Sequence, residues 1–287
     1  MTLTGWDPAP LVLGGAGLSL LLFAQAFVRL PRRHAPWSRA LLFVAAVAAG
    51  TLPLVSPLDE AADSYLSAHM LQHVVVGDVA PALALVALRG PLVFFVVPRV
   101  ALRRLARVRL LRRFLGVVLR PRVSFFLWAA SLAAWHVPTA YDYALRSEAV
   151  HDAEHLSFLV AGLLVWTQLV DPARREALRV PQRLAYAGAL FGAALSLVVV
   201  LAFAGPLYPA YPQLGEQRLA AFVMLVESAL SFGLCAAFLL PTRARAGALR
   251  RSPTTSASRR RGARRVAAPG APLAPVTTAP GASPAAR

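Results

Sequence analysis

Apolar runs of about twenty residues recur along this 287-residue chain, and no other feature restricts its fold as strongly. Each run is long enough to cross roughly 30 Å of hydrocarbon as a helix, which satisfies every backbone N–H and C=O within the segment. They lie near Leu11 to Leu30, Ala40 to Leu58, Tyr65 to Leu88, Val123 to Thr139, Ala149 to Val170, Leu184 to Leu207 and Leu219 to Leu240. The expected fold class is therefore all-α, a polytopic integral membrane bundle of about seven transmembrane helices. A hydrophobic content of 57% with only 15% charged residues excludes a soluble domain of this size. One shorter run, Leu92 to Val97, is bounded by Pro91 and Pro98. It is expected to be an interfacial or re-entrant extension of the third span.

Arginine sets the expected orientation. All 30 basic residues are arginine. The first connection carries Arg29, Arg32, Arg33 and Arg39; the segment from Arg89 to Arg122 carries ten; the fifth connection carries Arg174, Arg175, Arg179 and Arg183; the carboxy-terminal tail carries ten more. The opposite side holds only Arg146 and Arg218, with Asp7, Asp59, Glu60, Asp63, Asp142, Glu148 and Glu216. The positive-inside rule then predicts an amino terminus outside and a carboxy terminus in the cytoplasm. Residues 1–241 read as the seven-span domain, and residues 242–287 as a disordered cytoplasmic tail rich in Arg, Pro and Ala. A net charge of +17 also suits nucleic acid, but arginines placed between apolar segments serve orientation and anionic lipid headgroups. The expected partner is the lipid bilayer, with no nucleic acid. A single cysteine, Cys235, excludes an intramolecular disulfide framework and any cysteine-paired metal site.

Five of the six histidines fall at one depth in this topology. His69 and His73 lie in the first turns of the third span, His136 near the outer end of the fourth, and His151 and His155 at the start of the fifth. A spacing of four places each pair on one helix face, about one turn apart. Two such pairs and a fifth imidazole facing one another supply a nitrogen-rich metal site, so the expected ligands are His69, His73, His136, His151 and His155. The plainer alternative is that each hydrogen-bonds across helices. Imidazole suits copper, zinc, iron and nickel, with Cu(II) highest in the affinity order. Met70 and Met224 lie at the same level, where packing is the commoner use of methionine.

Acidic residues offer further chemistry. His151-Asp-Ala-Glu154-His155 matches the His-x-x-Glu-His pattern of inverted zinc peptidases, without an identifiable distal ligand. Asp78 and Glu227 sit within spans, where a carboxyl is costly unless paired or solvated. They suit a proton or ion path, or pairing with Arg or His of a neighbouring helix. Pro53 and Pro81 are expected to kink their helices. Tyr65, Trp135, Tyr141, Tyr143, Tyr208 and Tyr211 read as an outer aromatic belt, with Trp166 near the inner interface.

Taken together, His69-Met-Leu-Gln-His73, Ala80-Pro81, Trp135-His136-Val-Pro138-Thr-Ala-Tyr141-Asp142, His151-x-x-Glu154-His155-Leu-Ser-Phe158 and Trp166 resemble the CtaG family of polytopic assembly proteins for caa-type cytochrome c oxidase. The resemblance runs from about Ala40 to Leu240, with Ala82 standing where the family commonly has a second proline after Pro81. It implies a seven-helix protein of the bacterial plasma membrane that is not an enzyme. Such a protein is needed to make active oxidase and helps copper reach it, with oxidase subunits and a copper donor protein as partners. Two other classes compete: a b-haem electron carrier using histidine pairs between helices, and a zinc-dependent membrane peptidase.

The arginine asymmetry generates a direct test of topology. A reporter active only outside the membrane is expected to work when fused after Asp63, Tyr143 or Gln213, and to be silent after Arg107, Arg175 or Arg251. Activity at Arg107 would overturn the orientation.

Overall fold

The computed structural model describes residues 9–239, so the expected tail at 242–287 lies outside the described residues. Within them the elements follow in order as α1 (Pro10–Arg29), α2 (Trp37–Val55), α3 (Pro57–Ser64) and α4 (Leu66–Val74), a π-helical turn (Val75–Val79), and α5 (Ala80–Ala87). Then come α6 (Pro91–Val96), α7 (Arg99–Arg107), α8 (Arg109–Val118), α9 (Pro121–Trp135), α10 (Pro138–Arg146), α11 (Glu148–Val170), α12 (Val180–Phe203) and α13 (Leu214–Leu239). Among the described residues there is no strand.

Six of these segments are long and apolar enough to cross a membrane alone: α1, α2, the continuous stretch Leu66–Ala87, α11, α12 and α13. A further pair, α8 and α9, is long and apolar enough only when taken together and is bent by 77° at its break, which brings the count to seven where the pair forms one span. This is a multi-pass membrane architecture, and its outer faces carry the apolar side chains that lipid requires. Leu11 and Phe203 are 83% and 84% exposed. Alone, α9 has 15 residues and reaches about 22 Å at 1.5 Å per residue, short of the hydrocarbon thickness.

Prolines explain where the spans stop. Ser56 and Val137 precede Pro57 and Pro138 and are held extended, with ψ of 174° and 125°. A residue before proline is disfavoured in the helical region. The second span therefore ends at Val55 and the fourth at Trp135, and α3 and α10 start as separate short helices on the same end of the bundle. Residues 92–97 are no continuation of the third span. Gly90 breaks the chain at φ +77°, and its N–H donates to the Pro172 carbonyl at 2.8 Å. The helix beyond it, α6, buries Leu92 among Phe23 and Phe27 of α1.

Inside the third span, Pro81 has no N–H to offer the Gly77 carbonyl, and the π turn directly precedes it. The fifth span, α11, crosses at this point. A Cβ on Gly162 would collide with the Gly77 carbonyl oxygen and come within 2.9 Å of Pro81 Cγ. Glycine at both positions lets the two backbones touch, the small-residue contact by which membrane helices gain dispersion energy.

Three apolar clusters flank this crossing. One, at the end where α4 and α11 begin, gathers Leu66, Met70, Tyr141, Leu201, Tyr208 and Met224. A second, at the opposite end, packs Leu85, Trp166, Leu169, Leu190 and Phe232, with Cys235 against its edge. The third joins α1, α2 and α6. Met70 and Met224 are thus packing residues, as the sequence suggested, and Cys235 packs in the same way at the other end.

Gly162→Ala is expected to cost about 1–3 kcal/mol by overpacking and to lower the thermal midpoint of the detergent-solubilised protein. Gly188→Ala, inside α12 where a Cβ meets nothing within 4 Å, is the control and is expected to leave the midpoint unchanged or slightly raised. Equal midpoints would contradict the close crossing.

Candidate metal centre

The helical spacing of four brings His69 and His73 onto one face of α4 with ring centroids 4.4 Å apart, and His151 and His155 onto one face of α11, also 4.4 Å apart. The Gly77–Gly162 contact sets the two faces against each other. His69 then stands 5.2 Å from His151, and His73 stands 5.0 Å from His155. Four imidazoles from two helices form a compact cluster.

Glu154 joins them from α11, its Oε1 3.7 Å from Nδ1 of His73. One ligand atom from each of His69, His73, His151 and Glu154 falls within 4.8 Å of all the others. His155 adjoins this set without being part of it. The His136 ring lies farther off, 6.4 Å from the Phe158 ring, whose other neighbour is His73 at 4.8 Å. Nδ1 of His136 donates to the Leu132 carbonyl at 2.8 Å, which leaves Nε2 as the nitrogen carrying a lone pair. His34, the sixth histidine, accepts from Arg33 in the first connection.

The site is deeply buried. Relative exposure is 1% for His69 and Glu154 and 5% for His73, while His151 is half-buried. Nε2 of His69, His136, His151 and His155, both ring nitrogens of His73 and both oxygens of Glu154 have no hydrogen-bond partner among the described residues. Leaving a buried polar atom unsatisfied costs about 1–3 kcal/mol, and native interiors contain few such atoms. Each neutral imidazole presents one lone pair, and these lone pairs converge with the Glu154 carboxyl at a place where the described residues supply no hydrogen bond to them, so the donor set fits a metal ion.

Second-layer contacts hold the walls. Gln72 donates to the Pro53 carbonyl and to Asp59 of α3, both at 2.7 Å, which ties α3 over the cluster. The Tyr211 hydroxyl donates to the Ala62 carbonyl at 2.6 Å and lies 3.4 Å from Nδ1 of His69. Burial pushes the Tyr211 phenol up to about 12, so it stays a protonated donor at neutral pH. Tyr208 donates to the His136 carbonyl at 3.1 Å and packs against Tyr141 with its ring tilted by 39° and the centroids 4.4 Å apart. Ser67 reaches Glu216 at 2.7 Å, closing α4 onto α13. Half-exposed His151 marks the way in, and Asp59, Asp63 and Asp152 stand within electrostatic reach of it.

Several expectations from the sequence change here. Tyr141, Tyr208 and Tyr211 are no interfacial belt: they are 1%, 1% and 4% exposed and wall the cluster. Tyr65 and Tyr143 do face outward. Trp166 is buried as well, and its Nε1 donates to Asp78. Asp78 and Glu227 hydrogen-bond each other, with Ser231 donating to Glu227 at 2.6 Å, so the carboxyl pair takes the place of a pairing with Arg or His. Glu154 is the donor that ligand reasoning passed over. Its position three residues after His151, on the same helical face, was the available signal.

A model of the cytochrome c oxidase caa3 assembly factor family, Caa3_CtaG, matches residues 21–246. The chain belongs to that family. No curated protein and no solved structure matches it. Family membership supports a role in cytochrome c oxidase assembly and an association with that enzyme. The matched stretch contains all five histidines of the layer together with Glu154.

In this family member the second-layer contacts generate their own prediction. Tyr211→Phe removes the donor to Ala62, and faster amide hydrogen exchange is expected in residues 57–64. Unchanged exchange there would show that α3 is held without Tyr211.

Proposed function

We propose that the chain holds copper at the buried histidine and glutamate cluster and hands it to a cytochrome c oxidase during assembly. The observation that carries this reading is the convergence of unsatisfied donor atoms from His69, His73, His151 and Glu154 in one buried place. His155 and His136 are nearby imidazoles to which the ion passes or by which it is steadied. Neutral imidazole and carboxylate suit copper chemically, and the family supplies the oxidase. The site's residues bind and release cargo; no catalytic step is assigned to them. On this reading the protein sits in the bacterial plasma membrane with its histidine end and amino terminus outside and its carboxy terminus in the cytoplasm, the orientation that the arginine distribution predicts. There it would receive copper from a donor protein and act on oxidase subunits.

Three properties of these residues make transfer workable. Half-exposed His151 is the first donor an arriving ion meets, and the carboxylates around it attract cations. Glu154 supplies a charge that imidazole lacks. The aromatic rings of Tyr141, Tyr211 and Phe158 pack against the imidazoles and limit the room for water at the donors.

His69→Ala, His73→Ala and His151→Ala are expected to reduce bound copper and oxidase activity most, with His155→Ala and His136→Ala weaker and protein level unchanged. Removing a histidine that only bridges helices would cost about 0.6 kcal/mol on average and leave copper unaffected. His34→Ala is expected to be silent, and excess copper is expected to rescue the weaker variants by mass action. Full oxidase activity in all five variants would refute the copper reading. A Soret band from the purified protein would favour haem instead, and proteolysis lost in Glu154→Gln would favour a peptidase.

A further inference from the structure

The segment between the third and fourth crossings carries a second feature, remote from the histidines in sequence. Helices α7 and α8 bury no residue. From Arg89 to Arg122 the chain has ten arginines and no acidic residue. The ion pairs among the described residues involve none of them. Arg109, Arg112 and Arg113, at spacings of three and four, lie on one face of α8 and line a shared concavity of about 400 Å³. The remaining surface of the same helix exposes large apolar side chains: Leu110 is 78% and Phe114 is 58% exposed.

Position completes the picture. The bend of 77° sets α8 nearly perpendicular to α9, so with α9 as the membrane-directed half of the pair α8 lies close to the membrane plane. An amphipathic helix so placed sets its apolar side into the acyl boundary and its arginines at the level of the headgroup phosphates. Guanidinium pairs with phosphate through fork geometry, and three on one face surround a single headgroup. A soluble acidic protein would satisfy the arginines and leave Leu110 and Phe114 in water; lipid covers both.

We propose that α8, with α7 beside it, is a binding site for anionic phospholipid, in which Arg109, Arg112 and Arg113 cradle the headgroup phosphate. The cradle anchors the arginine end of the bundle to an anionic leaflet. It depends on the membrane architecture and not on copper.

Native mass spectrometry of the full-length protein, purified in mild detergent with phosphatidylglycerol and phosphatidylcholine supplied together, tests this. The wild type is expected to retain phosphatidylglycerol preferentially, with the preference falling steeply as salt is raised. Each arginine near an anionic surface is worth roughly five-fold in affinity, so R109Q/R112Q/R113Q is expected to lower the preference by about 100-fold. R109K/R112K/R113K keeps the charge and is expected to stay within about ten-fold of the wild type. R174Q/R175Q, in another connection, is expected to change nothing. Absent or salt-independent preference in the wild type would overturn the proposal, as would full retention in the glutamine variant. Displacement of the lipid by inorganic phosphate would also overturn it, pointing to a soluble anion site. Unchanged lipid binding with lost oxidase maturation in the glutamine variant would instead assign the arginines to a protein partner.

Discussion

The backbone contact between Gly77 and Gly162 is the constraint on which the rest of the structure depends. Side chains at positions 69, 73, 151 and 155 meet because the third and fifth crossings approach at this point without side chains between them. A larger residue at either glycine would move the helices apart and separate the imidazoles. Pro81 and the π turn belong to the same device, since the carbonyl that Pro81 cannot engage faces the Gly162 position. The site's geometry is thus set by small residues about one to two helical turns beyond the nearest donors.

Burial then gives the cluster its chemical character. Imidazole nitrogens and carboxylate oxygens without donors are unfavourable in an apolar interior. They are concentrated in one place, behind Tyr141, Tyr211 and Phe158, and this concentration is what supports the proposed cation site. The same interior contains a polar pair that is satisfied, Asp78 with Glu227, supported by Trp166 and Ser231. The two groups differ in that the carboxyl pair finds its partners within the fold, whereas the ring nitrogens and the Glu154 carboxyl do not.

Much of this was legible in the sequence, and the reasons for the rest are physical. Helical periodicity is local, so the paired histidines and the apolar spans could be read directly from spacing. The family motifs were legible for the same reason, being short strings around those pairs. Tertiary placement was not. Tyr141, Tyr208 and Tyr211 sit near span ends, where tyrosine is usually interfacial, yet the short helix α10 and the chain between α12 and α13 fold them inward. The 77° bend before α9 depends on the chain around Arg120 and Pro121, and no hydrophobic pattern reports an angle. Glu154 was visible as part of a motif, but its role as a donor depends on α4 lying opposite.

X-ray absorption spectroscopy of the purified, copper-loaded protein is the most direct measurement of what the cluster holds. First-row metals bind imidazole nitrogen and carboxylate oxygen at about 2.0 Å and sulfur at about 2.3 Å. A first shell of nitrogen and oxygen alone, with the outer-shell scattering of imidazole and its loss in a His69→Ala, His73→Ala double variant, is the expected result. A sulfur shell, from Met70, Met224 or Cys235, or a spectrum unchanged in the double variant, would contradict copper binding at this site.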